Sequence, residues 1–209
     1  SFGDKIKFIS EPDKGIYDAQ NKGILNATGD YILFLNGGDW FKDENSLASF
    51  IPELGNYDIL YGDIIYKKED QENEFQYPDT IDEKFMLSKG MPHQSTLIRR
   101  SLFEKTGLHK LNYRICADWD FFMHAFFIHN ATRFHVKNAI SVFDCTGISS
   151  TIDNIQPIID EHLLILNSSF PQLIGLYKKH SYYLQKRKKM KLAILKKNIK
   201  KLIRKYITK

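Results

Sequence analysis

A chain of 209 residues, 43% apolar and 13% aromatic, is long and apolar enough for one soluble domain with a sizeable core. Its net charge of +5 hides a division: residues 178–209 hold 14 of the 30 Lys and Arg and no Asp or Glu, so residues 1–177 carry 16 basic against 25 acidic residues, a formal −9. Two cysteines, Cys116 and Cys145, exclude a disulfide framework and fit a reducing cytosol, and without an apolar run of ~18 residues no segment is expected to cross a membrane.

Lys5 to Ser10 alternates enough to predict a strand, and Glu11-Pro12-Asp13-Lys14-Gly15 breaks it into a loop. Ile16 to Ala27 reads as a helix. After the turn Gly29-Asp30, Tyr31 to Leu35 is an unbroken apolar, β-favouring run that suits a strand covered on both faces. Strand, helix and strand in that order predict a right-handed crossover and a parallel sheet. Asp43 is placed to cap a short helix, Tyr57 to Tyr66 is a further strand, and the charged stretch Lys67 to Tyr77 an exposed loop or hairpin. A helical turn at Glu83 to Leu87 precedes Gly90-Met91-Pro92-His93-Gln94, where Pro92 disfavours helix at Met91, and Ser95 to Arg99 is a strand. Ser101-Leu102-Phe103-Glu104 has capping-box spacing, with Gly107 ending the helix. From Asp118 to His129 the chain is too apolar all round for a surface helix, so a buried one is expected. Arg133 to Val136 and Ala139 to Cys145 are strand candidates, Thr146 to Ser150 is a loop by composition, and helices fill the chain from Ile155 onwards. The domain reading is therefore a body over 1–177 and a basic tail over 178–209.

Chemistry is most readable in the loop that follows Leu35. Asn36-Gly37-Gly38-Asp39 offers an amide and a carboxylate on a backbone that a bulky ligand can approach, at the carboxyl end of a strand, where ligands of open α/β sheets gather. A phosphate carrying a divalent cation is one such ligand; an ordinary turn, with Asp39 capping the next helix, is the plain alternative. Upstream stands Glu11-Pro12-Asp13-Lys14-Gly15-Ile16-Tyr17-Asp18-Ala19-Gln20-Asn21-Lys22-Gly23, and downstream stand Pro92-His93-Gln94 and Ala117-Asp118-Trp119-Asp120. In this order the motifs resemble glycosyltransferase family 2, the inverting, nucleotide-sugar-dependent enzymes of GT-A fold, and especially its bacterial polysaccharide branch. The resemblance runs from about Lys5 to Ser150.

It implies a GT-A-like α/β fold with a mostly parallel open sheet flanked by helices. Asp39 then holds Mn or Mg on the donor's diphosphate, and Asp118 takes the acceptor hydroxyl's proton, with Asp120 as its competitor and a plain cap as its structural alternative. Asp13, Asp18, Asn21 and Asn36 lie against the nucleotide sugar, and His93 and Gln94 face the acceptor or the diphosphate. The family's metal loop is usually an Asp-x-Asp pattern, whereas here Asn36 and Gly38 fall where carboxylates often stand, so weak cation binding without nucleotide is expected. The family also begins with a strand, a helix and a second strand ending in an Asp-Gly-x-Ser-type loop, none of which precedes Ser1. The chain is accordingly expected to be an N-terminally incomplete fragment.

The implied activity is transfer from a nucleotide-diphosphate sugar, a UDP-sugar first, to a saccharide or lipid-linked acceptor in surface polysaccharide synthesis. A non-catalytic binding or assembly module is the competing expectation. In the tail, Leu195, Ile199, Leu202, Ile203 and Tyr206 form one helical stripe opposite Lys196, Lys197, Lys200, Lys201, Arg204 and Lys205. This basic amphipathic helix is expected to lie on an anionic membrane surface, at the inner face of the cytoplasmic membrane. Nucleic acid is a less fitting partner, because the body is acidic and the tail has apolar periodicity.

Overall fold

The computed structural model describes residues 6–146 and 154–179, which divide into two compact units, Ser1–Thr80 with Met91–His162 and Ile81–Gly90 with Leu163–Lys209. In the first unit one sheet is built from β1 (Tyr31–Ile32), β2 (Trp40–Phe41), β3 (Ile59–Lys68), β4 (Gln71–Phe75), β5 (Thr96–Arg99) and β6 (Arg133–Asp144). Their order is β1-β5-β3-β6-β2, with β4 also paired to β3. β3 organises the sheet because Ile59 to Ile64 are buried without interruption, as in a strand covered on both faces. Its first half pairs with β5 (Ile59↔Ile98), its second half with β4 (Ile64↔Phe75), and its other edge runs along β6. Ile59, Leu60 and Ile64 are almost wholly removed from water, each stabilising the fold by roughly 1.5–3 kcal/mol.

The mostly parallel sheet is corrected. Among the described residues only β3–β6 is parallel, while β1–β5, β2–β6, β3–β4 and β3–β5 are antiparallel. The expectation rested on a crossover from a strand at Lys5 to Ser10, yet residues 6–10 form no strand and Phe8 is 84% exposed. Alternation alone does not make a strand; a neighbour must take up its N–H and C=O groups. The two strand candidates around Lys137 and Asn138 join as β6 because the register slips between Gly62 and Asp63, a bulge that absorbs the extra residues. Gly62 permits the close approach there: an added methyl would overlap the Ile140 side chain and stand 2.8 Å from the Asn138 carbonyl oxygen.

Helices α1 (Ile16–Asn26) and α4 (Ala117–Phe127) follow the sequence reading. α1 turns Tyr17, Asn21 and Ile24 inward at i, i+4 and i+7, and α4 buries nearly all round its circumference. Two capping expectations are corrected. Asp43 closes a turn, its Oδ1 accepting from Asn45 N at 2.8 Å, and the helix that follows is a 3₁₀ segment at Leu47–Glu53 with Pro52 inside it. Ser101 precedes α3 (Leu102–Thr106) in helical rather than extended conformation and makes no side-chain cap. In the second unit, Asp82 caps α2 (Glu83–Ser88) through Phe85 N at 2.7 Å, and buried side chains include Met86, Leu87, Ile165, Leu166 and Phe170. α5 (Ile155–Ser169) begins in the first unit and ends in the second. No described helix is long and apolar enough to cross a membrane, and the stripe from Leu195 to Tyr206 lies outside the described residues.

Candidate active site

β1 and β6 run in one direction and β5 in the other, so the carboxyl ends of the first two and the start of the third meet at one edge of the sheet. A cavity of about 260 Å³ opens there. Asn36, Gly37 and Asp39 reach it from the loop after β1, His93 and Gln94 from the turn before β5, and Phe143, Asp144 and Thr146 from the end of β6. The start of α1 adds Ile16 and Tyr17, and the approach to α4 adds Arg114, Ile115 and Asp118.

Asp118 lies in the first turn of α4, where the helix dipole favours an anion. Its Oδ1 accepts from Trp119 N at 2.8 Å and stands 2.9 Å from the Tyr17 hydroxyl, whose one proton it shares with the Ile115 carbonyl oxygen at 2.5 Å, and its Oδ2 stands 3.0 Å from His93 Nδ1. Burial works to raise its pKa, but the hydrogen bond from His93, joined by that from the Tyr17 hydroxyl, outweighs it and holds the carboxyl below its ordinary value. Burial, with the Asp118 charge added, pushes the Tyr17 hydroxyl upward, so it remains a neutral donor. The result is an ionised carboxylate at the cavity wall with one oxygen still able to accept a further proton. Asp120 faces elsewhere: it is buried and paired with Lys110 at 3.0 Å and His124 at 3.4 Å.

Asp39 lines the same cavity, in the loop after β1. Its Oδ1 accepts from Asp144 N at 3.0 Å and its side chain is bonded by Gln94, while burial raises its pKa. The Asp144 carboxylate, which accepts from Thr146 N at 2.9 Å, sits beside Gly38, whose φ of 96° suits glycine. Among the described residues no group of three or more His, Cys, Asp or Glu gathers as a metal site. Two carboxylates on one wall nevertheless fit a hard cation of the kind that takes one or two protein carboxylates and completes its shell with substrate phosphates.

Five of the residues expected from the sequence, Asn36, Asp39, His93, Gln94 and Asp118, thus converge on one cavity. Asp13, Asp18 and Asn21 are not among its lining residues. Asp13 accepts from Gly15 N and Asp18 from Lys14 N, shaping the loop into α1, with Lys22 paired to Asp18 at 3.4 Å. Asn21 is buried and spends both ends of its amide on the backbone of His109, at 2.8 and 2.9 Å. That clamp fixes the His109 ring among Tyr17, Phe34, Phe103 and Phe121, where burial lowers its pKa and keeps it neutral.

Tyr17, Asp144 and Glu161 were not anticipated. Asp144 carried a readable signal, an aspartate at the end of an apolar strand, the same one that singled out Asp39. Tyr17 sits inside the Asp13–Gly23 motif but is a plain inward-facing aromatic by periodicity. Glu161, on α5, accepts from three consecutive backbone N–H groups, Arg114 at 2.7 Å, Ile115 at 3.0 Å and Cys116 at 2.9 Å, and so fastens the loop that leads into α4. Nothing in the sequence links it to a loop 45 residues away.

A family model described as Glycosyl transferase family 2 matches residues 1–127. The chain belongs to glycosyl transferase family 2. Among curated family members, a PGL/p-HBAD biosynthesis glycosyltransferase of Mycobacterium tuberculosis is 32% identical over 157 residues, 73% of this chain and 60% of that protein. An uncharacterized glycosyltransferase of the same organism is 31% identical over 146 residues, 68% of this chain and 55% of that one. This family 2 chain therefore spans about 60% of the length of the curated relatives it matches. Solved structures that resemble it include S. aureus TarS 1-349 in complex with UDP, at TM-score 0.44 and 18% identity over 59% of this chain and 38% of that one. S. aureus TarS gives a TM-score of 0.47 at 16% identity, over 78% of this chain and 30% of that chain.

Proposed function

We propose that this glycosyltransferase moves a sugar, with inversion, from a nucleotide-diphosphate sugar, a UDP-sugar first, to a saccharide or lipid-linked acceptor in cell-surface polysaccharide synthesis. The observation that carries the reading is the Asp118 carboxylate, kept ionised at the cavity wall by Tyr17 and His93, within one cavity with Asp39 and Asp144. The acceptor oxygen attacks the anomeric carbon as the bond from that carbon to the diphosphate oxygen breaks. The hydroxyl proton passes to Asp118, and the bonding electrons leave with the diphosphate. Asp39, with Asp144 beside it, would hold Mn or Mg, which when bound supplies positive charge to the leaving diphosphate. Arg114, on the cavity rim, adds a guanidinium suited to the same phosphates. Asp13 and Asp18 shape the loop into α1 on the nucleotide side, Asn21 holds the His109 backbone, and Asn36, His93 and Gln94 complete the wall.

The basic tail supports a second part of the proposal, peripheral attachment to the anionic inner face of the cytoplasmic membrane, which would hold a lipid-linked acceptor in the plane of the enzyme.

Calorimetry and turnover in the full-length protein test the chemistry. Asp39→Ala should weaken Mn-dependent UDP binding, whereas Asp118→Asn should bind UDP normally and lose turnover a few hundredfold, the equivalent of ~3–4 kcal/mol. Full turnover in Asp118→Asn would remove it as the base, and absence of UDP binding in the wild type would favour the non-catalytic module.

A further inference from the structure

Asp118 is the end of a hydrogen-bonded chain that starts on α1. Gln20 Nε2 lies 3.1 Å from Asn36 Oδ1, Asn36 Nδ2 lies 2.9 Å from His93 Nε2, and His93 Nδ1 lies 3.0 Å from Asp118 Oδ2. With the Gln20 and Asn36 amides oriented as they stand, the donors and acceptors leave one assignment. An ionised carboxylate only accepts, so Nδ1 carries the proton; an amide nitrogen only donates, so Nε2 is bare. The amide of Asn36 faces His93 with its nitrogen because its oxygen is taken by the Gln20 donor. Gln20 meanwhile keeps Oε1 buried with no hydrogen-bond partner among the described residues. A buried acceptor left unmade is destabilising, so this side chain is held for the single bond it donates to Asn36.

We propose that Gln20 is a positioning residue for the transfer reaction: through Asn36 it fixes His93 as the neutral Nδ1–H tautomer, which orients Asp118 while leaving its negative charge uncompensated. The direction of the chain matters. Were the amides reversed, Asn36 Oδ1 would face Nε2 and demand a proton there, and with Nδ1–H still on Asp118 the ring would become an imidazolium. A full cation 3.0 Å from the carboxylate would weaken it as a base. Gln20 touches neither the cavity nor any reacting atom, and acts only through the two side chains between it and Asp118. The inference rests on Asp118 being the base of the proposed reaction, but its structural half, the tautomer, is read without any turnover.

The test is nitrogen NMR of the full-length protein labelled at histidine, on the wild type and three variants at pH 7, with kcat and KM measured on the same samples. The wild type should show His93 protonated at Nδ1 and bare at Nε2. Gln20→Glu, which can only accept from Asn36, should reverse the amides and protonate both ring nitrogens, with kcat down about tenfold and donor KM within twofold. Gln20→Met, neutral and without a donor, should release Asn36 and populate the Nε2–H tautomer. Asn36→Asp imposes the reversed polarity directly and repeats the first result should Gln20→Glu fold poorly. A wild-type ring bare at Nδ1, or an unchanged tautomer in Gln20→Met beside a protonated ring in Gln20→Glu, would overturn the relay, the latter as a through-space charge effect. Absent turnover with the expected tautomers would instead sink the proposed function.

Discussion

Glu161 offers the sharpest check on how the site is held, because one carboxylate takes three backbone donors from the loop entering α4. In Glu161→Ala all three lose their acceptor. Hydrogen bonds to a charged group are worth ~1.5–3 kcal/mol each, and an exposed one counts for little. The Arg114 bond is exposed and the Ile115 and Cys116 bonds are partly buried, so two bonds at the lower end give a loss of about 3 kcal/mol. Glu161→Gln is milder for a stated geometric reason. Both inner donors converge on Oε2, which a glutamine oxygen can replace without charge, while its NH₂ would face the Arg114 N–H. About half the alanine loss is expected, roughly 1.5 kcal/mol. For a domain of this size ~1 kcal/mol moves Tm by ~2–4 °C, so scanning calorimetry should show drops of ~6–12 °C for alanine and ~3–6 °C for glutamine. A Tm within ~1 °C of wild type for Glu161→Ala, or glutamine as damaging as alanine, would refute the reasoning.

Gly62→Ala should destabilise by ~1–3 kcal/mol in urea titrations, since the methyl meets Ile140 and the Asn138 carbonyl with no room to move; a neutral or stabilising result would show that β6 shifts freely there. His162, stacked on Trp119 at 4.1 Å, is held by burial at a pKa of about 4. The neutral ring belongs to the folded state, so its contribution is complete above the unfolded value of ~6.5 and is lost as pH falls towards 4, up to ~3 kcal/mol. Urea midpoints at pH 7 and 4.5 measure that slope, and His162→Leu should flatten it; an unchanged slope would exclude this imidazole as its source. Deleting residues 183–209 should abolish sedimentation with anionic vesicles, and equal binding with or without them would end the membrane proposal.

Where local chemistry and periodicity suffice, the sequence was readable. The helices α1 and α4 and the strand within Tyr57–Tyr66 followed from spacing, but the strand expected over Tyr31–Leu35, covered on both faces, is only Tyr31–Ile32, with burial alternating up to Leu35, so the loop at Asn36–Asp39 does not follow a strand directly. Strand direction did not follow. Tyr31–Ile32 finds its partner in β5, far along the chain, and no pattern within a strand encodes whether its neighbour runs parallel. Capping failed at Ser101 for a similar reason: the spacing was right, but the backbone arrives already helical. In the site, Asp118 was singled out by its motif, whereas the groups that give it its charge state and orientation are a tyrosine 101 residues earlier and a histidine 25 residues earlier. Such pairings are properties of the assembled sheet edge, as is the meeting of Asp39 with the Asp144 amide.

The outer strand β4 has a bearing on how copies of the protein behave together in solution. Gln71 to Glu74 are exposed, and β4 pairs with β3 alone among the described residues. An unpaired strand edge invites a second molecule to extend the sheet. Here Glu72 and Glu74 stand on that short strand, and among the described residues Glu72 is paired with Lys67 at 3.6 Å. A second copy arriving edge-on would set carboxylate against carboxylate and displace the water around them. Charge on that exposed strand opposes such an extension of the sheet.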